Sequence, residues 1–146
     1  MSDPVILTLT RDFAAPASRV FDAWLNPADV RRFLFATPEG EMQQVEIDAR
    51  VGGEALIVER RAQGEARHRL RFEVIERPRR LVFLFAAGPS DDSAWTRVSI
   101  DIVETPTGCT LVLTYEMDAA WAKHEPQARQ GWTMILDSLA LITDKP

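Results

Sequence analysis

The stretch Gly131-Trp132-Thr133-Met134-Ile135-Leu136-Asp137-Ser138-Leu139-Ala140-Leu141-Ile142 decides the fold. Trp132, Ile135, Leu136, Leu139 and Ile142 recur within it at spacings of three and four, which puts them on one face of an α-helix. Upstream, Glu125-Pro126 reads as the helix start, because proline suits a first turn that needs no backbone N–H there. The spacing predicts a C-terminal helix of about four or five turns ending near Asp144. Such a stripe needs an apolar surface to cover it, and the preceding residues supply one.

From Met42 to Met117 the chain reads as strands separated by turns. Val45 and Ile47 alternate with polar residues before Gly52-Gly53, and Ala55 to Arg61 leads to a turn at Gln63-Gly64. Leu70, Phe72 and Val74 alternate with Arg69, Arg71 and Glu73, the pattern of a strand buried on one face. Pro78 closes that strand, and Leu81 to Ala87 is apolar on both faces, as a central strand would be. Val98, Ile100 and Ile102 alternate before Thr105-Pro106-Thr107-Gly108, and Leu111, Leu113, Tyr115 and Met117 form the last strand. Another strand precedes all of these, over Val5 to Phe13. Two short helices follow it. The first begins at Pro16 and carries Val20, Phe21 and Trp24; the second begins at Asn26-Pro27, carries Val30, Phe33 and Leu34, and stops before Pro38. The expected fold is therefore α+β: a curved antiparallel sheet of about seven strands wrapped around the C-terminal helix, in one domain spanning residues 1–146.

The composition limits the function classes. With 46% hydrophobic and 27% charged residues, the chain is globular and large enough to hold a core without metal or disulfide. Its single cysteine, Cys109, excludes an internal disulfide framework and fits a reducing compartment. The apolar run Val5-Ile6-Leu7 ends at Thr8, too short for a signal peptide or a membrane span, so cytoplasmic residence is expected. A net charge of −5 argues against a nucleic-acid binder. The segment from Arg50 to Arg80 nonetheless holds nine arginines against five glutamates. It reads as a solvated strand face with cross-strand ion pairs, or as a docking face for an acidic partner.

The ordered motifs resemble a known family. Phe13-Ala14-Ala15-Pro16 leads into Val20-Phe21-Asp22-Ala23-Trp24, followed by Ile47-Asp48-Ala49-Arg50-Val51-Gly52-Gly53. Pro78-Arg79-Arg80-Leu81-Val82-Phe83, Gly108-Cys109-Thr110-Leu111-Val112-Leu113 and Gly131-Trp132 with Leu136, Asp137 and Leu139 come next. In this order they are similar to the START-like helix-grip superfamily (SRPBCC), in the branch named after the activator of the Hsp90 ATPase. The resemblance covers nearly the whole chain. It implies a sheet gripping a helix, with a pocket for hydrophobic or aromatic molecules between them. It departs from the family pattern at Leu70, where a glycine is usual, and at Phe33, where a tryptophan is common. Both changes are expected to reshape apolar volume near the pocket mouth. A counterpart of the large N-terminal domain of eukaryotic Hsp90 activators is not expected from this sequence.

No constellation for catalysis stands out. Cys109 has no histidine beside it, and His68 and His124 form no paired or metal-binding pattern, so no metal and no cofactor are expected. Gly52-Gly53 lies between two strands rather than opening a helix, which excludes a phosphate-binding loop. His68 shares parity with Leu70, Phe72 and Val74, so it points toward the cavity rim, as a polar anchor or base or as a hydrogen-bonded rim residue. Glu46 and Asp48 share parity with Met42, and Arg60 with Leu56 and Val58; a carboxylate–arginine pair buried there would be informative. The larger aromatic set also includes Trp24, Phe83 and Trp121. The expected lining is Phe33, Phe35, Met42, Leu56, His68, Phe72, Phe85, Trp95, Met117, Trp132 and Ile135.

Three functions compete. The first is binding of a small apolar or aromatic molecule in the internal cavity. The second is an Hsp90-associated stress or co-chaperone-like role through an exposed apolar or basic patch. The third is a cyclase- or hydrolase-type enzyme with titratable groups converging on the cavity. A monomer or a homodimer paired through the edge strand over Val5 to Phe13 fits any of them.

Overall fold

The computed structural model describes residues 5–37, 39–87, 95–117 and 123–144. Strand β1 (Val5–Phe13) is followed by helices α1 (Ala17–Ala23) and α2 (Pro27–Phe33). Strands β2 (Glu41–Ile47), β3 (Glu54–Arg61), β4 (Gly64–Glu76), β5 (Arg80–Ala87), β6 (Thr96–Thr105) and β7 (Gly108–Met117) then lead to α3 (Glu125–Thr143). One seven-stranded sheet runs in the order β1-β7-β6-β5-β4-β3-β2, antiparallel throughout. This is the α+β arrangement that the strand and helix patterns imply, with the two short helices inserted between the first and second strands.

Local chemistry sets the helix ends. Pro16 caps α1 from outside the helix, and its carbonyl accepts from the N–H groups of Arg19 and Val20 at 3.0 and 3.2 Å. Asn26 caps α2 by accepting from the Ala28 N–H at 2.9 Å, with Pro27 in the first turn. At 19 residues α3 is about 28 Å long, enough to cross several strands. It buries Trp132, Leu136, Leu139, Ala140 and Ile142. Opposite them lies the concave face of the sheet, including Leu7, Leu70, Phe72, Phe83, Val98, Ile100, Leu111 and Leu113. An ion pair between Arg11 on β1 and Asp137 on α3 ties the helix to the edge of the sheet.

Two bulges set which side chains reach that concave face. The register of β2 on β3 shifts between Met42 and Gln44, so Val45 and Ile47 face the same side as Met42, while Glu46 lies opposite Leu56 on the other side. The register of β4 on β5 shifts between Phe72 and Val74. Strict alternation put Val74 beside Phe72; instead Val74 pairs with Val82, and Ile75 takes the inward position opposite Leu81. β5, fourth of the seven strands, is apolar on both faces because the convex face is covered as well. Val82 and Ala86 are buried there, and the guanidinium groups of Arg69 and Arg71 lie over the Trp95 ring at 5.4 and 4.8 Å from its centroid. Among the described residues, no helix is long and apolar enough to cross a membrane.

The direction of the α3 stripe has a measurable consequence. Leu139 is fully buried, whereas Leu141 is 68% exposed. Leu139→Ala is expected to lower stability by about 2–5 kcal/mol and Leu141→Ala by less than about 0.5 kcal/mol in urea unfolding. Equal losses at the two positions would place the helix in the wrong rotation.

Candidate functional site

The site is built where β3 ends beneath the connection from α2 to β2. Along β3 the inward positions are Ala55, Ile57, Glu59 and Arg61, opposite Leu70, His68, Ala66 and Gly64 of β4. Glu59 is only 2% exposed, so its charge needs partners. Arg61 Nε donates to it at 2.6 Å, the Thr37 N–H at 2.8 Å and the Thr37 hydroxyl at 3.1 Å. Arg61 then reaches onward, its Nη2 donating to the Phe35 carbonyl at 2.8 Å. Two side chains of one strand thus fix the backbone of the α2–β2 connection at residues 35 and 37. A side chain at Gly40 would collide with the Glu59 carboxyl, since its Cβ would come within 2.4 Å.

Phe35 is held in a conformation that non-glycine residues rarely adopt, with φ 58°. That backbone directs its ring onto His68, with centroids 3.9 Å apart and planes 5° from parallel. Phe35 also meets Phe85 and Trp132 at 5.4 and 5.7 Å. Trp132 in turn meets Phe85 and Tyr115 at 5.6 and 5.8 Å. An aromatic cluster from α3, β4, β5 and β7 therefore backs the connection. Beside it opens a cleft of about 350 Å³ with Phe35, Ala36, Thr37, Arg32 and Arg61 on one side. The facing wall is α3, through Gly131, Met134, Ile135 and Ser138.

His68 is held neutral. Burial, and after it the nearby Arg61 guanidinium, push its pKa down to about 4 against the opposing effect of Glu59. A neutral imidazole stacks on Phe35 as an aromatic ring and is a weak base at neutral pH. Cys109 is fully buried, and burial followed by the charges of Asp144, Glu104 and Asp12 pushes its thiol pKa up, away from a reactive thiolate. No group of three His, Cys, Asp or Glu side chains among the described residues could hold a metal ion.

The residues singled out in the sequence fall into separate places. Phe35, Phe85 and Trp132 are brought into mutual contact, His68 stacks on Phe35, and Ile135 lines the cleft. Met42 packs on the core from β2, Phe72 is buried opposite Phe83, and Met117 is buried opposite Val5 at the end of β7. Phe33 is fully buried edge-on against Trp24 at 5.1 Å, and Leu70 is buried opposite Ala55 and Phe85. Neither of these two lines the cleft mouth, where both were expected to act.

Leu56 and Trp95 lie elsewhere. Leu56 has the opposite parity to the inward Ile57, and Trp95 stacks with the arginines of the convex face. Trp121 lies outside the described residues. Glu46 and Arg60 are also on the convex side, and Asp48 pairs with Arg50 at 2.8 Å, so they do not converge with His68. The buried carboxylate–arginine pair exists one position away, as Glu59 and Arg61. Tyr115 was not anticipated in the cluster, although its parity with Leu111 and Leu113 pointed inward.

A single sheet closed around one C-terminal helix, with a cleft at the mouth, is the architecture of the START-like helix-grip proteins. The sequence matches the family described as Activator of Hsp90 ATPase homolog 1-like protein over residues 14–143, and the chain belongs to that family. Solved structures agree in fold. A protein from Chromobacterium violaceum is 21% identical with a TM-score of 0.85, over 98% of this chain and 100% of the other. An AHSA1-like protein from Aeromonas hydrophila, solved in solution, is 21% identical with a TM-score of 0.78, over 93% and 90%. A protein from Staphylococcus aureus is 12% identical with a TM-score of 0.86, over 97% and 94%. No curated protein matches the sequence significantly.

The depressed His68 pKa predicts a pH dependence. Between about pH 6.5 and 4 the unfolded chain binds a proton at this residue and the folded chain does not, so stability falls as pH is lowered through that window. The loss attributable to His68 reaches on the order of 3 kcal/mol at its lower end. Urea titrations from pH 7 to 4 should show it, with His68→Phe flattening this part of the profile. An unchanged slope in His68→Phe would contradict a buried neutral histidine.

Proposed function

We propose that the protein binds a small apolar or aromatic molecule in the cleft between the α2–β2 connection and α3. One observation carries this reading: Phe35 is kept in a strained left-handed conformation by a buried ion pair, so its ring is fixed beside an open volume. A ring whose other face already stacks on His68 is a rigid platform, and binding to it needs little ordering of the protein. Met134, 48% exposed, and Ile135 offer the opposing apolar wall. Single apolar anchors of this kind suit a ligand with one or two rings or a short alkyl chain. Residence in a reducing compartment, supported by the lone Cys109, is part of the same reading.

The chaperone-associated reading draws on the family's description and on the arginine-rich convex face. Several of those arginines are already engaged: Arg71 with Glu54 at 3.4 Å, Arg97 with Glu73 at 2.9 Å, and Arg80 with Asp101 at 3.3 Å. Cross-strand pairing of this kind accounts for the charge without a partner, so cavity binding is the reading we favour.

Gly131 provides a clean test. It lines the cleft, and a Cβ built there meets nothing within 4 Å. Gly131→Leu should therefore project into the cleft while raising the unliganded stability by up to about 1 kcal/mol through helix propensity. A thermal-shift panel of aromatic metabolites and fatty acids is expected to give stabilising hits with the parent chain that vanish in Gly131→Leu. Hits that persist unchanged in Gly131→Leu, or a panel with no hits at all, would overturn the proposal.

A further inference from the structure

We infer that the ligand of this cleft carries a negative charge at one end, held by Arg32, so that it is a small amphipathic anion rather than a neutral apolar molecule. The inference rests on the binding reading above and adds the chemistry of the ligand's head. Among the described residues the cleft is lined by two arginines and by no carboxylate, in a chain whose net charge is −5. The two arginines are not equivalent. Arg61 is committed, its Nε to Glu59 and its Nη2 to the Phe35 carbonyl. Arg32 stands in the last turn of α2, and no ion pair or hydrogen bond joins it to any described residue.

The nearest buried carboxylate does not cancel Arg32. Both Glu59 oxygens are occupied, one by Arg61 and the Thr37 hydroxyl, the other by the Thr37 N–H. Glu39 lies in the adjoining recess that shares Thr37 and Arg61, outside the cleft itself. A guanidinium beside an apolar platform, with the Ser138 hydroxyl also on the lining, recognises a carboxylate, sulfonate or phosphate by charge-assisted hydrogen bonds. The Phe35 ring and the Met134 and Ile135 side chains accept the apolar remainder. The volume of about 350 Å³ limits that remainder to a body of one or two rings or a short chain.

A matched pair of fluorescent probes separates the two claims. Naphthalene-2-sulfonate is a two-ring aromatic anion, and 2-methoxynaphthalene is its uncharged counterpart. The folded parent chain at pH 7 and low salt is expected to prefer the anion. Arg32→Ala should weaken the anion by about three- to tenfold, the scale of a partly exposed charged hydrogen bond, and leave the neutral probe unchanged. Arg32→Lys should retain part of the preference. The preference should also shrink in about 0.5 M salt, where the screening length is only a few Å, while neutral binding holds. Equal binding of both probes, or an anion preference untouched by Arg32→Ala, overturns the inference and leaves cleft binding standing. Binding of neither probe removes the binding reading itself.

Discussion

A carboxylate buried at the end of a strand must be neutralised, and the arrangement around Glu59 follows from that requirement. Stripping such a group of its partner typically costs about 3–5 kcal/mol. Its partners are Arg61, two residues along the same face of β3, and the Thr37 N–H and hydroxyl. Arg61 cannot serve Glu59 without coming beside the Phe35 carbonyl, which it also binds. The connection between α2 and β2 is thereby fixed from beneath at two points, and the left-handed turn at Phe35 is sustained by bonds that a relaxed backbone would forfeit. Without this brace the ring stacked on His68 would have no reason to hold its position.

The aromatic cluster then joins the brace to the grip. Phe35 touches Trp132, and Trp132 belongs to the buried stripe of α3. The helix that closes the sheet and the loop that forms the cleft therefore share a contact, and the cleft lies along the seam between them. Neutral His68 is part of the same logic: a protonated imidazole beside Arg61 and under Phe35 would be a second buried cation with only Glu59 to offset both. The interior is thus arranged for stacking and shape, with its free charge confined to the rim at Arg32. That division suits a protein that encloses a molecule.

Much of the fold was legible because its signals are local. The α3 stripe, the Asn26-Pro27 cap and the strand alternation each follow from a few neighbouring residues, and the ordered motifs named the family. The site was only half legible. Bulges after Met42 and Phe72 shift side chains to the opposite face, and alternation alone cannot locate them; it places Glu46 inward, where the structure turns it outward. Leu56 was misplaced because β3 is apolar on both faces, and Trp95 because arginines cover the convex face with their stems. The Glu59–Arg61 pair was hidden for a different reason: in an arginine-rich segment, nothing local distinguishes a buried carboxylate from its solvated neighbours. Phe35 on its left-handed turn carried no sequence mark, since the residue is not a glycine.

The function turns on where a ligand sits. A solution NMR titration of the isotope-labelled chain with 2-methoxynaphthalene tests this most directly, through the backbone and methyl signals that move. Saturable shifts are expected at Phe35, Ala36, Thr37, Met134, Ile135 and Ser138, the two walls of the cleft. Shifts centred on the convex face around Arg69, Arg71 and Trp95, or none that saturate, would contradict it.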